Sequence, residues 1–545
     1  MNDMNVYSTA KESLFWADQL ADEVQARNKK EKGTAVVRCG QTPSGGKHIG
    51  NLNDVVRAYF VYKSLQERDV KSTFIHSTDD RDPLKDVPKR LADLDGNWHD
   101  SSKFPEISKW LGKPLCRIPD PFGCCKSWSA HFTTVWEIGL NALGIFPKIV
   151  SNNDYYEKGK FDPYIKLVFE KKESVGKIVS TFQETKGENY IPFDAMCPNC
   201  GILSNISSFD LKSKKVFFTC GGKAIKKKKA EGCGYEGSVP WSEGKLQWRF
   251  EWPAQWGIEK VTFEPFGKDH FEGSWKSGQI IAKEVYGIEP PIPYVYEFFL
   301  VDGAKMSASV GNVIIVQDIL KIIEPETFLY FYTKRPGKQR DFSMKEIFRL
   351  VDEFDNVESK FYAKVGEKSS ERAYIMCTGK IPKKQPARIP YTFASMLAQI
   401  VPQNTLLESS LSILKSTRHV PQKVSEPDKK YILQRLLGAK YWVEYYAPDE
   451  YKIKLLYLTT EIVSNLSDKQ KSALKQLGKD LAAKKYDEKT LYDHAIEIAQ
   501  SNGLETKEFF SGAYLALLGK PTGPRLAQFI LAVGQKEISK RLSAL

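Results

Sequence analysis

Pro43-Ser44-Gly45-Gly46-Lys47-His48-Ile49-Gly50-Asn51 lies between a short apolar run, 34–39, and a segment, 52–67, whose apolar residues recur at helical spacing. A β-rich stretch follows at 72–76. Strand, glycine-rich turn, helix and strand in that order are the element of an α/β nucleotide-binding sheet. Glycines at 45, 46 and 50 let backbone approach a ligand closely, and the free N–H groups and dipole of a helix start favour phosphate. His48 and Asn51, three residues apart, are expected on one side of the first helical turn, both donating hydrogen bonds to a polyphosphate. The competing reading is an ordinary glycine-rich turn with a surface histidine. The G-x-x-x-x-G-K-[ST] arrangement is missing, which argues against P-loop chemistry.

A second segment, Gly303-Ala304-Lys305-Met306-Ser307-Ala308-Ser309-Val310-Gly311-Asn312, follows the strand-like 294–301. Small hydroxyl residues, a lysine and flanking glycines suit a mobile loop that closes on phosphate, with Lys305 neutralising charge on a departing pyrophosphate. Alone it also reads as a solvated turn.

Together the two segments, near opposite ends of one split α/β domain, resemble the paired signatures of class I aminoacyl-tRNA synthetases, usually written H-I-G-H and K-M-S-K-S. Longer stretches narrow the resemblance. Gly40-Gln41-Thr42-Pro43-Ser44-Gly45, 76–88 (HSTDDRDPLKDVP), 118–123 (IPDPFG), 244–256 (GKLQWRFEWPAQW), 263–270 (FEPFGKDH), Tyr296-Glu297-Phe298 and 305–312 all look like class I lysyl-tRNA synthetase. So does 517–534, with its Gly523-Pro524-Arg525-Leu526. Residues 346–500 match by helical character only.

The resemblance implies an α/β fold: a Rossmann-type catalytic domain split by a zinc-binding insertion, followed by an all-α C-terminal anticodon-binding region. The expected boundaries are an N-terminal helix over 1–30, a catalytic first half over 31–153, an insertion over 154–244 with short strands, a second half over 245–345 and helical stem-contact and anticodon-binding parts over 346–545. The helical segments expected there include 345–365, 406–414, 429–446, 452–464 and 524–543.

The implied reaction forms lysyl-adenylate from L-lysine and ATP, then passes the lysyl group to tRNA(Lys), so catalysis is chiefly positioning and charge stabilisation around phosphorus. By resemblance His48, Asn51, Lys305 and Ser307 are catalytic. Pro43, Ser44, Gly45, Gly50, Gly267, Met306 and Ser309 join them around ATP, and Asp269 contacts its ribose. Lysine rests on Gly40, Thr42, Trp248, His270 and Tyr296, aromatic walls that suit an ammonium on a four-carbon stem. A carboxylate is expected near that ammonium, with Asp79, Asp80, Glu264 and Glu297 the unseparated candidates. Mg²⁺ is implied with ATP. The sequence departs from the class pattern at Ala308, where the loop often has lysine or serine, at Val310, where lysine is common, and at Asn51, which is normal among lysyl enzymes.

Nine cysteines, an odd number without a secretory pattern, point to thiols or metal ligands rather than disulfides. Cys197-Pro198-Asn199-Cys200, then Cys220 and Cys233, supplies four thiolates for tetrahedral Zn²⁺. The gap between the second pair is longer than in the family and contains a basic run, 226–229, readable as a solvated loop or a tRNA contact. Related lysyl enzymes hold a second zinc at the positions of Asp120, Cys124, Cys125 and His131, with histidine where Cys125 stands. Here either a second zinc site or a structural thiol pair is open. Cys39, Cys116 and Cys377 remain plain thiols.

The chain has 545 residues, 41% of them hydrophobic, with 80 Lys and Arg against 67 Asp and Glu, a formal +13. That excludes a disordered chain and a small disulfide-framed module. No internal repeat, no membrane-length apolar run and no secretory signal are evident, so a cytoplasmic protein is expected. The basic excess suits a polyanion such as tRNA, or a lysine-rich solvated surface. Two other classes stay open: a synthetase of another specificity or acceptor, and a catalytically silent RNA-binding module.

Overall fold

The computed structural model describes residues 15–182, 190–225, 228–307, 310–334 and 337–545. The chain forms two compact units. One runs to Asp318 and includes Leu329–Phe342 and Glu367–Gly379; the other comprises Ile319–Phe328, Ser343–Gly366 and Lys380–Leu545.

The first unit is built on a five-stranded parallel sheet: β1 (Ala35–Gln41), β2 (Ser72–Thr78), β3 (Lys148–Ser151), β4 (Phe263–Gly267) and β5 (Ile292–Tyr296), in the order β5-β4-β1-β2-β3. β1 pairs with β2 from Ala35↔Ser72 to Gln41↔Thr78, and meets β4 at Val37↔Phe263. Val36, Val37 and Cys39 are buried, as a central parallel strand covered on both faces requires. The chain winds outward from β1 through β2 to β3, then returns to β1's other side at β4. A crevice opens where strand order reverses, outside the carboxyl ends of β1 and β4.

Helix α1 (Trp16–Glu31) packs on α2 (Leu52–Gln66) through Ala17, Leu20, Ala21 and Val24. Its Asp18 accepts hydrogen bonds from Ser64 on α2 and from Arg372, and Trp16 stacks on Tyr294 at 5.1 Å. The amphipathic pattern read over 8–28 is partly outside the described residues; the helix itself continues to Glu31. Helix α3 (Trp128–Ala142) starts from Ser127, whose hydroxyl accepts from the Ala130 N–H. Helix α4 (Trp248–Glu259) lies between the insertion and β4 in sequence.

The insertion differs from its expected strand-rich character. Residues 152–182 form three helices, Asn152–Glu157, Asp162–Glu170 and Lys172–Phe182, before short antiparallel strands begin at Phe193. Ile165, Val168, Phe169, Val175, Ile178 and Val179 fill one core with Phe193, Val216 and Trp241.

In the second unit, buried Arg435 donates to Glu324 at 2.9 Å and to Asp355, and Gly438 lies so close to the Ile322 carbonyl that a Cβ would sit 2.6 Å from it. Helices over Ile347–Ala363, Leu406–Ser416 and Glu426–Tyr445 answer the sequence pattern. Two expectations are corrected. Of 452–464, only Thr460–Ser464 is helical, because the preceding backbone bonds elsewhere: Ile453 N–H to Gln399 and Leu456 N–H to the Leu517 carbonyl. The 524–543 segment is two helices, Leu526–Val533 and Gln535–Leu542, broken at Gly534, whose φ is +106°.

Candidate active site and metal centres

Two cavities, of about 310 and 680 Å³, open at the carboxyl ends of β1 and β4 and share Gly40, Asn51, Asp54, Trp248 and His270 as walls. Into the smaller one face His48, Gly50, Gly267, Asp269, Lys305 and Met306. The expected shared helical turn is not present. His48 has an extended backbone (φ −80°, ψ 160°), Ile49–Asn51 is a tight 3₁₀ turn, and α2 begins at Leu52. Tyr332 Oη donates to the Ile49 carbonyl at 2.7 Å and the Ile49 N–H bonds Ile314 at 2.9 Å, which pins the turn so that His48 and Asn51 still meet one cavity. A Cβ at Gly50 would lie 2.8 Å from His48 Nδ1, so glycine lets the imidazole lie against the backbone. Burial and the Lys47 charge push the His48 pKa down to about 4, making the ring neutral, and its buried Nδ1 has no hydrogen-bond partner among the described residues.

The Lys305 loop is tied at both ends. Asp302 and Gly303 turn through positive φ, and the Gly303 N–H donates to Asp341 at 3.0 Å. Asn312 accepts from the Ser307 N–H at 2.8 Å and donates to the Lys305 carbonyl at 3.0 Å. Lys305 Nζ stands 5.0 Å over the Phe298 ring. Ser307, Pro43, Ser44 and Gly45 line neither cavity; Ser44 is exposed and Gly45 packs on Pro88. Ser309 and Ala308 lie outside the described residues, as do Lys226 and Lys227.

The residues expected around the amino acid gather here as well. Trp248 stacks on Trp252 at 5.2 Å with its buried Nε1 unbonded, and His270 stands 5.7 Å from Trp252. Thr42 donates to Asp82 at 3.1 Å, and Asp82 is paired with Lys245 at 3.2 Å. Of the four candidate carboxylates, Asp80 and Glu297 line neither cavity: Asp80 accepts from Ser151 and Asn153, and Glu297 pairs with Lys268 at 2.7 Å. Glu264 reaches the smaller cavity but is engaged by Arg38, Trp252 (3.1 Å) and Trp256 (2.8 Å). Asp79 lines the larger cavity and accepts from Asn152 and Gln255.

Two groups went unread in the sequence. Asp54, on the first turn of α2, lines both cavities and accepts from Tyr296 Oη at 2.5 Å. Burial, with the charges of Glu264 and Asp269, raises it to about 7 against the lowering effect of that hydroxyl. An acid on a first helical turn is ordinarily a partner of the helix dipole, which hid it; its spacing of three from Asn51 was the available signal. Lys47 lines the larger cavity, and burial, opposed by Asp79, Asp54 and Asp82, lowers it to about 8.

In the insertion, Cys197, Cys200, Cys220 and Cys233 hold their sulfurs within 4.8 Å of one another, with Sγ–Sγ distances of 3.6 Å (Cys197–Cys233) and 3.5 Å (Cys200–Cys220). A tetrahedron of ~2.3 Å metal–thiolate bonds has edges of about 3.8 Å, so these thiols fit one metal ion. Asp120, Cys124, Cys125 and His131 form a second such group. His131 Nε2 lies 2.9 Å from the Ala92 carbonyl, a bond that makes Nε2 the donor and leaves the Nδ1 lone pair facing Cys124 at 3.2 Å.

Comparison with known proteins gives the class first. Residues 14–380 match the family described as tRNA synthetases class I (K), and residues 440–545 match an anticodon binding domain. The chain belongs to the class I (K) tRNA synthetase family. It is 36% identical to the lysine–tRNA ligase of Natronomonas pharaonis over 99% of both chains. It is 37% identical to that of Haloarcula marismortui over 97% of this chain and 96% of the other, and 32% identical to that of Methanocaldococcus jannaschii over 97% and 99%.

Proposed function

We propose that this chain ligates L-lysine to tRNA(Lys) by way of lysyl-adenylate. The observation that carries the reading is the juxtaposition, in one crevice, of phosphate-directed groups with an aromatic-walled carboxylate. His48, Asn51 and Lys305 face one cavity, and Asp54, backed by Tyr296, faces it together with Trp248 and His270. Full-length relatives named lysine–tRNA ligase support the specificity.

ATP lies with its phosphates on His48, Asn51 and Lys305 and its ribose on Asp269. The neutral imidazole and the Asn51 amide donate to phosphate oxygens. A lysine carboxylate oxygen attacks the α-phosphorus, the bond to the bridging oxygen breaks, and pyrophosphate departs with that electron pair toward Lys305. Lysine's aliphatic stem packs along Trp248, and Asp54 takes the ε-ammonium in place of the four carboxylates expected from sequence. Gly40 and Thr42 hold the α-amino-acid end, with Thr42 oriented by Asp82. Pro43, Ser44, Gly45, Ser307 and Ser309 act through the backbone shape of their loops or on closure of the 303–312 segment.

Cys197, Cys200, Cys220 and Cys233, and Asp120, Cys124, Cys125 and His131, would each hold a Zn²⁺ supplying a structural cross-link, and Mg²⁺ would accompany ATP. The segments 31–153 and 245–345 are the catalytic halves, 154–244 the zinc-bearing insertion, 1–30 an N-terminal helix and 346–545 the stem-contact and anticodon-binding part. No helix among the described residues is long and apolar enough to cross a membrane, which fits a cytoplasmic site of action. Lysine-dependent exchange of pyrophosphate into ATP, with glutamate, glutamine, cysteine and arginine as competitors, tests the reading. Exchange that ignores lysine sinks it.

A further inference from the structure

Lys268 begins the turn that leaves β4, beside Gly267 and Asp269, and lines the same small cavity as His48, Asn51 and Lys305. Its ammonium lies 5.5 Å from the centroid of the Phe298 ring, over which Lys305 stands at 5.0 Å. The two cations are therefore no farther apart than those two distances combined. Phe298 is 36% exposed and is itself a wall of the cavity, so both ammonium groups sit at the rim of the space where phosphate-directed groups converge. The loop carrying Lys305 reads Lys305-Met306-Ser307-Ala308-Ser309, so it brings a single lysine.

We propose that Lys268 is a second polyphosphate ligand, supplying from the end of β4 the positive charge that the 305–309 loop does not carry. This rests on the lysine–tRNA ligase reading above and names a further residue of that site. In the ligand-free molecule Lys268 is paired with Glu297 at 2.7 Å, and its side chain is 47% exposed against 16% for Glu297. Lys268 is the solvent-facing member of that pair, so its ammonium can turn from the Glu297 carboxylate to a phosphate oxygen without first being drawn out of a buried site. The compact ammonium on a flexible stem suits that exchange. Glu297 thus holds Lys268 near the cavity until ATP arrives, and Phe298 keeps the two like charges on one apolar surface.

The test is lysine-dependent ATP–pyrophosphate exchange on the full chain, comparing wild type with Lys268→Ala, Lys268→Arg and Glu297→Gln, each checked for an unchanged thermal melt. Lys268→Ala is expected to lower kcat for exchange on the order of ten- to a hundredfold, to raise the KM for ATP and to leave the KM for lysine within about twofold. Lys268→Arg recovers part of the loss, and Glu297→Gln, which loosens the resting position of Lys268 without removing its charge, lowers the rate several-fold less than Lys268→Ala. A merely structural ion pair predicts instead that Glu297→Gln and Lys268→Ala fail alike. Equal exchange in wild type and Lys268→Ala overturns the proposal alone, as does a rise in lysine KM without one in ATP KM, which would make the bound anion the amino-acid carboxylate. A wild-type chain without lysine-dependent exchange overturns the functional reading and this proposal with it.

Discussion

Tyr296 Oη donates to Asp54 Oδ1 across 2.5 Å, joining the end of β5 to the first turn of α2 over 242 residues of sequence. Among the described residues the carboxylate makes no ion pair: Lys47 acts on it only as a more distant charge, against those of Glu264 and Asp269. A buried acid in that condition is poised for a ligand ammonium.

Asp54→Asn is therefore expected to raise the KM for lysine by on the order of a hundredfold, the cost of losing a buried charge-assisted bond, with little change in the KM for ATP. Asp54→Glu loses less. Exchange kinetics at varied lysine and ATP measure both, and equal effects on the two substrates contradict the assignment.

The same group predicts a pH dependence. Asp54 in the free molecule is raised to about 7, so it is protonated below that pH and ionised above it. Lysine's ammonium pairs only with the ionised form. Apparent lysine affinity is flat above about pH 7 and falls by up to about tenfold per unit beneath it, while Asp54→Asn abolishes the slope. Calorimetric titration between pH 6 and 8 reads this directly and registers proton release on binding at the acid end.

Lys305→Ala slows adenylate formation far more than it weakens lysine binding, because Lys305 faces the phosphate side of the crevice and the charge it meets develops during the reaction. Single-turnover adenylate formation, set beside equilibrium lysine binding, separates the two quantities. Comparable losses in both would count against the role.

Metal content offers a check independent of activity. Elemental analysis is expected to find two zinc ions per chain, with Cys197→Ser removing one and His131→Ala the other. A variant of either group that keeps both ions refutes its assignment as a ligand set.

In the helical unit, Arg435 and Glu324 are both almost wholly buried, at 1% and 3% side-chain exposure, and Asp355 completes the pairing. Arg435→Met takes from Asp355 the arginine it is paired with and leaves Glu324 with Arg388 alone, at 3.6 Å, and is expected to cost about 3–5 kcal/mol of stability. Denaturant unfolding followed by circular dichroism measures it.

The strand–turn–helix around His48 was legible because its signals are local: an apolar run, clustered glycines and a 3.6-residue period. The helices over 152–182 carried the same period, in Ile165, Val168 and Phe169, yet the neighbouring cysteines and lysines drew the reading toward strands. Gly534 was visible as a breaker within 524–543. The segment before Thr460 was not readable, because the backbone partners that hold it away from helix come from Gln399 and Leu517. Asp54 shows the same limit at the site: its role depends on Tyr296, and no local pattern connects them. Of the four carboxylates nominated from sequence, Asp79 and Glu264 line the cavities and Asp80 and Glu297 do not, a division set by tertiary pairing with Ser151 and Lys268 that no local pattern announces.

The adjacency of β1 and β4 sets a schedule for synthesis. Val36 N–H bonds to the Thr262 hydroxyl at a sequence separation of 226. At ribosomal rates of ~5–20 residues per second, the first half of the sheet waits on the order of ten seconds or more with one edge of β1 unpaired. During that interval the insertion has only part of its core: Phe169, Phe193 and Trp241 are made, but Ile281, Val285 and Tyr286, which pack into the same cluster from beyond β4, are not. The nascent chain consequently carries an exposed strand edge beside a core that still lacks one wall, a state open to pairing with another chain. Ribosome-bound chains stopped before Phe263 are the ones that will need a chaperone.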